Sequence, residues 1–459
     1  MIFAMGNRCS QLIRMAVVTV GLVAFLFVEA LARVMSISVM WSFRDAVTQK
    51  MGFLCLGLYF IVFLYLRARP SLGFWRADNP NLWLCLVLLI GVTRYALDGS
   101  PSVEALTLLA GVVLGQGVGV WADAGIGKRK ADVGMWAGAW IVPLLLVLLA
   151  MGAALSADVV RTLVYRGQVR WSGVWGNPNI AGLLMGVGVL LAGGVAGEVQ
   201  RGKLVKTAVR IVCFVLGVIM AARLLNSYSR GAWVGTICGL AYLITTGFEL
   251  RPSKFSRWID NHGLPLLIIA VSIAVLTGWE LRGIGWNPAR RVVSASSKND
   301  FSTRNRLAAW EGAMKIAGDH FLFGAGWNEP ERLYENYYRP SQLTEAAAIE
   351  MNDYTMLGAA IGIPALVCFG VFVWLRLTQR RDGVSLSSQC EGESGMSAPA
   401  DRLSATCRGG ATVLLVGFMF DGGLFKLPTA AVFWVLLELG AGEQEVTTKA
   451  NALHRREAV

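Results

Sequence analysis

The sequence predicts an all-α membrane protein, a polytopic bundle of about twelve transmembrane helices with one long, partly helical extracytoplasmic loop. The first observation is composition: hydrophobic residues make up 55% of the 459 residues and charged residues only 16%, whereas soluble domains carry about 25% charged residues. The second is that apolar runs close to the roughly 20 residues needed to cross a bilayer recur along the chain. The third is one long polar stretch, residues 279–353, set among these runs.

Each apolar run marks one predicted span. The runs lie near residues 16–33, 51–66, 81–97, 103–121, 136–155, 180–198, 208–225, 231–248, 263–279, 354–375, 410–424 and 427–441. The first run is predicted to be retained, because no small-residue cleavage site follows it. The last pair is irregular, since Asp421, Gly422, Gly423, Lys426 and Pro428 separate its runs. These residues predict either a tight hairpin or a re-entrant dip.

Basic residues predict the orientation of the chain. Once the long polar stretch is set aside, Lys and Arg concentrate in every second connection, starting with the N-terminal segment. Cytoplasmic loops carry an excess of Lys and Arg in membrane proteins. Both termini are therefore predicted to be cytoplasmic, and residues 279–353 are predicted to face outward.

The domain organisation follows from these spans. A first bundle of about nine spans, residues 1–278, precedes the outer loop, residues 279–353. The last spans occupy residues 354–441, and a cytoplasmic tail covers residues 442–459. Between the tenth and eleventh spans, residues 380–408 are rich in Ser, Gly and scattered charge. Their low apolar content predicts a disordered cytoplasmic linker.

Charge and cysteine usage argue against two classes of protein. The net charge is +12, but the basic residues stand at the ends of apolar runs, whereas nucleic-acid binders cluster them on a soluble face. The eight cysteines include no C-x-x-C pair, and none lies in residues 279–353. The sequence therefore predicts no nucleic-acid partner, no zinc site and no disulfide framework.

Arginines on the predicted outer side are candidates for binding an anion. Arg170 precedes the turn Trp175–Asn179, and Arg230 precedes the eighth span. The planar guanidinium suits phosphate better than an ammonium does. Arg230 adjoins Gly231, where a phosphate can approach the backbone and a helix N-terminus. The alternative is that Arg230 reaches lipid headgroups or pairs with a loop carboxylate.

The Gly-Asn-Pro-Asn turn at residues 176–179 has a structural interpretation. Asn and Pro are favoured at the first positions of helices, where the side chain of Asn accepts a backbone N–H. The turn therefore predicts a helix start with Asn177 or Asn179 as the cap and Pro178 in the first turn.

Several short motifs occur in a fixed order around the polar stretch. They are Gly176-Asn-Pro-Asn-Ile-Ala181, Ser229-Arg-Gly-Ala-Trp-Val234, Arg306-Leu-Ala-Ala-Trp310, Asp319-His-Phe-Leu-Phe-Gly-Ala-Gly326, and Asn352-Asp-Tyr354 followed by Gly362. Each motif is weak alone, but their order and spacing are specific. Over residues 171–377 the chain resembles the O-antigen ligase and polymerase superfamily.

The resemblance implies glycosyl transfer at the periplasmic face of the bacterial inner membrane, without a metal ion or other cofactor. The implied donor is a glycan linked through diphosphate to a polyprenyl carrier, and the acceptor is lipid A core, another glycan repeat or a protein. Arg230 and Arg306 would bind the pyrophosphate, with Arg170 and Asn352 as further substrate-binding candidates. The alternatives for Arg306 are an exposed loop charge or a helical residue paired with Glu311, although i,i+5 spacing is poor for a pair.

Position 351 departs from the family pattern. Ligases of the family place a histidine eleven residues before the glycine found here as Gly362, and this chain has Met351 instead. A thioether cannot act as a general base. Glu350 and Asp353 are the candidates to replace it, although an acidic residue at a helix start also serves as a cap. His320 is predicted to be a packed loop residue.

Other functions stay open at this point. They are a polymerase that extends repeats on the carrier, an inactive relative that binds the carrier, and a transporter of small anions. A transporter needs polar groups at mid-span depth, and residues 144–150 and 264–276 have almost none. Aromatic residues of the polar stretch stack on sugars or pack in its own core; they include Trp327, Tyr334, Tyr337 and Tyr338.

Overall fold

The structure is a computed structural model that describes residues 77–98, 102–126, 163–165, 168–198, 203–246, 301–341, 351–378, 399–420 and 423–441. These residues form eleven helices: α1 Pro80–Leu97, α2 Val103–Ile126, α3 Pro178–Glu198, α4 Lys203–Asn226, α5 Arg230–Thr245, α6 Phe301–Asp319, α7 Glu329–Leu333, α8 Asp353–Ile361, α9 Ile363–Thr378, α10 Pro399–Phe418 and α11 Leu427–Gly440. A short antiparallel hairpin, β1 Leu163–Tyr165 and β2 Gln168–Arg170, pairs Leu163 with Arg170. A 3₁₀ turn covers Gly173–Trp175, and a π turn covers Tyr334–Tyr338.

The predicted all-α class is confirmed in the described residues, with the small hairpin as an addition. Three helical stretches combine the length and the apolar composition needed to cross a bilayer: Pro80–Leu97, Pro178–Ala196 and Thr207–Asn226. Parts of α2, α10 and the whole of α9 and α11 are apolar but shorter. The predicted spans near residues 16–33, 51–66, 136–155 and 263–279 lie outside the described residues.

The directions of the packed helices collect one set of helix ends at one end of the bundle. Helix α10 runs antiparallel to α3, because Leu183 contacts Gly417 at one end and Gly194 approaches Thr406 at the other. Contacts of the same kind between other helices show that α3 and α5 are parallel and that α2 and α11 are parallel. They also show that α10 and α11 are antiparallel. The starts of α2, α3, α5 and α11 and the ends of α4 and α10 therefore share one end of the bundle.

Small residues set the distance between the central helices. Gly231, Gly235 and Gly239 repeat every four residues along α5, so they share the face that packs on α10. A Cβ built on Gly235 would lie 2.5 Å from the carbonyl oxygen of Val413. Glycine at such positions lets two backbones approach closely, which is the usual way that helices associate in lipid.

We expect Gly235→Ala to destabilise the bundle by about 1–3 kcal/mol, because the added methyl group overpacks the α5–α10 contact. The thermal unfolding midpoint of the purified protein in detergent measures this effect. Gly193→Ala in α3 is the matched control, since no heavy atom lies within 4 Å of its Cβ position. Equal midpoints for the two variants would contradict the close packing.

Aromatic residues fill the core on the other side of α11. Trp434 contacts Phe369, Phe372 and Phe433, and the ring centroids are 5.4–6.1 Å apart. Gly111 and Gly115 of α2 leave room for the Trp434 side chain and backbone. This cluster fixes α2, α9 and α11 as one packed unit.

The span predicted over residues 354–375 is wrong as a single helix. The structure has two helices, α8 and α9, that meet at Gly362, whose φ is +95°. A Cβ at Gly362 would lie 2.4 Å from the carbonyl oxygen of Leu322. The backbone N–H of Ile363 donates to the carbonyl oxygen of Phe321 (3.0 Å). The helix is broken because a turn from the polar stretch, residues 320–326, takes its backbone hydrogen bonds at this junction.

The eleventh span and the disordered linker also need correction. Helix α10 begins at Pro399, so residues 399–408 of the predicted linker are helical. Polar side chains there bind the end of α11: Ser404 Oγ and Arg408 Nε donate to the carbonyl oxygen of Gly440 (2.6 and 2.9 Å). Because these contacts satisfy and neutralise a helix C-terminus, polar residues extend α10. The last pair of runs forms the antiparallel helices α10 and α11.

A buried charged network joins four helices at the opposite end from Arg230. Arg376 of α9 pairs with Glu438 of α11 (2.9 Å) and donates to Asn81 of α1 (3.2 Å). Gln116 of α2 also donates to Glu438. Charges buried in this way need partners, and each of these side chains has one within the network.

Candidate functional site at the Arg230 end of the bundle

The turn that precedes Arg230 is strained and heavily hydrogen-bonded. Tyr228 is buried and has a φ of +51°, in the left-handed region that non-glycine residues rarely adopt. On one side of it Ser227 Oγ donates to the carbonyl oxygen of Leu224 (2.7 Å), and on the other Ser229 Oγ caps α5 by accepting the N–H of Ala232 (3.3 Å). Strained residues of this kind persist only where their surroundings hold them, and they cluster at functional sites.

The remaining residues of the Ser229–Val234 motif pack around this turn. Trp233 Nε1 donates to the carbonyl oxygen of Leu224 (3.0 Å), and Ala232 is buried where α3 passes at Gly182. Gly231 lies against Phe420, two residues after the end of α10, and leaves no room for a side chain. The motif therefore fixes the half-buried Arg230 at the first position of α5, as predicted.

Arg170 stabilises the same turn. Its Nε donates to the carbonyl oxygen of Ser227 (3.0 Å), and its Nη2 donates to Oδ1 of Asn179 (2.6 Å). The side chain is buried, and it connects the hairpin, the start of α3 and the α4–α5 turn. Arg170 is thus close to the backbone that carries Arg230, and its contacts are those of a residue that positions this turn.

The predicted helix start at residues 176–179 is confirmed. Oδ1 of Asn177 accepts the backbone N–H of Asn179 (2.8 Å), and α3 begins at Pro178. Gly176 has a φ of +65°, which explains why glycine precedes the cap. Asn179, the alternative cap, is instead the partner of Arg170.

The Asn352-Asp-Tyr354 motif joins α8 to α10 and α11. Oδ1 of Asn352 accepts the N–H of Thr355 (2.7 Å), which makes Asn352 the cap of α8. The hydroxyl of Tyr354 donates to the carbonyl oxygen of Leu415 (2.7 Å). Oδ2 of Asp353 accepts the N–H groups of Gly423 and Leu424, each at 2.7 Å. The prediction that Asp353 caps its own helix is therefore wrong, because its carboxylate holds the turn before α11.

Arg306 lies one helical turn from a small apolar cluster that contains Met351. Arg306 is half-buried in the second turn of α6, so it is not an exposed loop charge. Glu311, the residue considered above as a partner for Arg306, instead pairs with Lys315 (2.8 Å). One turn after Arg306, Ala309 packs in the cluster that contains Met351. Met351 is only 7% exposed, so its thioether is a packing group.

A pair on α1 that the sequence did not single out anchors the Gly-Ala-Gly segment. Arg94 Nη2 donates to the carbonyl oxygen of Ala325 (2.6 Å), and Arg94 Nε lies 3.1 Å from Oδ1 of Asp98. Oδ2 of Asp98 accepts the N–H of Trp327 (2.8 Å). On the other side, the N–H groups of Ala325 and Gly326 donate to the last turn of α8. The segment 324–327 is therefore held between α1 and α8.

We expect Asp98→Ala to loosen residues 324–329, because it removes the acceptor of the Trp327 N–H and the partner of Arg94. A buried group left without its partner costs about 1–3 kcal/mol. Hydrogen–deuterium exchange of the purified protein should show faster exchange in this segment. Glu311→Ala is the control, since Glu311 forms an exposed pair. Unchanged protection in Asp98→Ala would contradict the anchoring role.

The aromatic side chains of the polar stretch divide between core and surface. Trp327 and Tyr334 are buried, and Trp327 Nε1 donates to the carbonyl oxygen of Gly91 (3.1 Å). The Tyr338 hydroxyl donates to Asp319 (2.5 Å), and this bond raises the pKa of Tyr338 above its ordinary value. Tyr337 is exposed. His320, predicted to be a packed loop residue, is also exposed, so that prediction is wrong.

The site therefore brings several predicted residues to one end of the bundle. The α10–α11 connection contacts Gly231 through Phe420 and Asp353 through Gly423 and Leu424. In the described residues no group of three or more His, Cys, Asp or Glu side chains is arranged to hold a metal ion. Glu350 lies outside the described residues.

A comparison with known protein families matches the part of the chain that carries these motifs. Residues 215–370 match the family model described as O-antigen ligase. The match supports the resemblance of this part of the chain to the O-antigen ligase and polymerase superfamily. It covers about a third of the chain and includes the Arg230, Arg306 and Asn352 motifs, so the resemblance of these motifs is confirmed. No curated protein matches the chain significantly.

Similarity to this family over residues 215–370 suggests glycan transfer of the O-antigen ligase or polymerase type. Together with the apolar helices it also indicates a membrane protein that acts in lipopolysaccharide biosynthesis. Lipid-linked glycans and glycan acceptors are the substrates that the family implies in general. The Gly176–Ala181 motif lies outside the match, and its role in the structure is to begin α3.

Proposed function

We propose that the protein transfers a glycan from a polyprenyl diphosphate carrier to an acceptor at the periplasmic face of the bacterial inner membrane. The observation that carries this proposal is the O-antigen ligase match over residues 215–370, which contains both Arg230 and Arg306. The acceptor is lipid A core, a further glycan repeat or a protein. Both termini are then cytoplasmic, and residues 279–353 are periplasmic.

The proposed reaction is a displacement at the anomeric carbon of the donor. The acceptor hydroxyl oxygen forms the new bond to this carbon, and the bond from carbon to the diphosphate oxygen breaks. The polyprenyl diphosphate leaves with the electron pair, and the hydroxyl proton passes to a base. The largest contribution in such reactions is stabilisation of the charge that develops on the leaving group.

Arg230 and Arg306 are proposed to bind the diphosphate. Arg230 stands at the first position of α5, where the helix N-terminus also favours an anion. A guanidinium can bind two phosphate oxygens at once, which orients the leaving group as well as neutralising it. The proposal uses no metal ion, since two guanidinium groups supply the positive charge. Arg170 and Asn352 support the site through the turn before Arg230 and the start of α8.

The proposed base is a carboxylate next to Met351. Glu350 is the first candidate, because it precedes the position at which ligases of the family carry histidine. Asp353 is the second, but its Oδ2 already accepts two backbone N–H groups and only 1% of the residue is exposed. Glu350→Gln removes the base while keeping the shape of the side chain, so it separates the two candidates.

The glycan profile of a deletion strain tests the proposed function. We expect carrier-linked glycan to accumulate in the deletion and to disappear when the native chain is restored. Extraction of lipid-linked glycan, followed by gel analysis of the envelope, measures both pools. An unchanged profile in the deletion strain would contradict a role in transfer.

Two related functions make different predictions in the same strain. A polymerase would change the number of repeats per glycan chain, whereas a ligase would change the amount of glycan on the acceptor. Met351, buried among Ala309, Ala313 and Tyr334, favours an inactive carrier-binding relative as the second candidate. Such a relative would leave the envelope glycans unchanged and would still bind the carrier. The buried Arg376 network pairs its own charges, so it does not favour an anion transporter.

A further inference from the structure

The turn between α6 and the Gly-Ala-Gly segment exposes three large apolar side chains in a row. Phe321, Leu322 and Phe323 are 53%, 60% and 54% exposed. Contiguous exposed apolar surface of this kind marks a site of interaction. The turn belongs to the long polar stretch, residues 279–353, and three exposed apolar side chains in a row are unfavourable in water.

The backbone of this turn lies well below the end of the bundle that carries Arg230. The carbonyl oxygen of Phe321 accepts the N–H of Ile363, and Gly324 packs on the backbone of Ala360. Ile361, the last residue of α8, lies against Gly91, six residues before the end of α1 that leads to the start of α2; six residues correspond to about 9 Å at 1.5 Å per residue. The turn is therefore level with the start of α9, not with the start of α8.

The exposed surface of the turn continues onto α9. Ile363, Val367, Gly370 and Trp374 are spaced by four, three and four residues, so they share one face of the helix. Val367 and Trp374 are 55% and 67% exposed. The backbones of Phe321 and Leu322 contact Gly362 and Ile363, so the exposed turn lies beside the first turn of α9.

Charged residues limit how deep the turn can lie. Asp319 and His320 directly precede it and are exposed, and the Tyr338 hydroxyl binds Asp319. Further back along α6, the exposed residues include the Glu311–Lys315 pair. Polar residues followed by aromatic ones are typical of segments at the boundary between headgroups and hydrocarbon.

We propose that the Phe321–Phe323 turn inserts into the lipid leaflet that surrounds α9, with acyl chains as its partner. This inference is independent of the proposed glycan transfer, since it rests on the exposed surface alone. The predicted outer loop then enters the bilayer at this turn and leaves it through residues 324–327.

Photo-crosslinking to lipid tests the insertion. The full chain is reconstituted in vesicles of phosphatidylethanolamine and phosphatidylglycerol with Phe323→benzoylphenylalanine, a swap of one aromatic group for another. Val367→benzoylphenylalanine on α9 is the positive control. Arg332→benzoylphenylalanine is the control for a position exposed to water. Arg332 follows Glu331, which lies near Glu104 and Lys426 at the Arg230 end of the bundle.

We expect acyl-chain adducts at position 323 with a yield similar to that at position 367 and several-fold above that at position 332. Leu322→benzoylphenylalanine repeats the test if the first variant does not fold. Adducts at positions 322 and 323 that are confined to peptides of this chain or of a second copy would overturn the proposal. So would a lipid yield no higher than at position 332.

Discussion

Arg230→Ala is expected to lower glycan transfer by about 100- to 1000-fold, the usual effect of removing one group that stabilises developing charge. The rigid turn of Ser227, Tyr228 and Ser229 holds the backbone of Arg230 in place. The diphosphate would then lose a preformed partner, and the turn would keep its own hydrogen bonds. Release of polyprenyl diphosphate from a lipid-linked donor measures the rate.

Arg230→Lys and Arg332→Ala are the matched controls for this prediction. Lysine keeps the charge but cannot bind two oxygens in a fixed plane, so we expect intermediate activity. Arg332 is exposed and pairs with Glu329 on the same helix, so its removal should leave transfer unchanged. If Arg230→Ala transfers glycan as fast as Arg332→Ala, Arg230 does not bind the diphosphate.

Asp353→Ala is expected to lower the stability of the protein by roughly 3 kcal/mol, because it leaves two buried backbone N–H groups without an acceptor. These groups, from Gly423 and Leu424, form the turn between α10 and α11. The effect should appear as a thermal unfolding midpoint many degrees below that of the native chain. Asp353→Asn keeps one side-chain oxygen, so its midpoint should lie between the two.

The same variants separate a structural role for Asp353 from a catalytic one. If the carboxylate only holds the turn, folded Asp353→Asn retains most of its activity below its unfolding midpoint. If it accepts the proton of the acceptor, the folded variant is inactive, because an amide is not a base. Glu350→Gln, measured alongside, should lose activity without a change in the midpoint.

The sequence predicted best where a local motif determines a helix start. Asn177 and Pro178 begin α3, and Arg230 begins α5, because helix starts depend on residues within one turn. The family match contains the short motifs of both Arg230 and Arg306, which supports the resemblance drawn from them.

The sequence failed where distant segments meet. Gly362 breaks a long apolar run only because residues 320–326 bind at that point, and nothing near Gly362 reveals this. The start of α10 was missed because Ser404 and Arg408 find their partner in Gly440. The i,i+4 spacing of Arg94 and Asp98 could have predicted their pair. Their partners at residues 325 and 327 could not be read from the sequence.

Transfer by the purified chain is the most direct test of the proposed function. The protein is reconstituted with polyprenyl diphosphate-linked glycan and an acceptor that carries free hydroxyl groups, in the presence of a chelator. The account predicts glycan on the acceptor, release of polyprenyl diphosphate, and a loss of both products in Arg230→Ala. Failure of the native chain to form product with lipid A core, glycan and protein acceptors alike, while it still binds the carrier, would contradict the account.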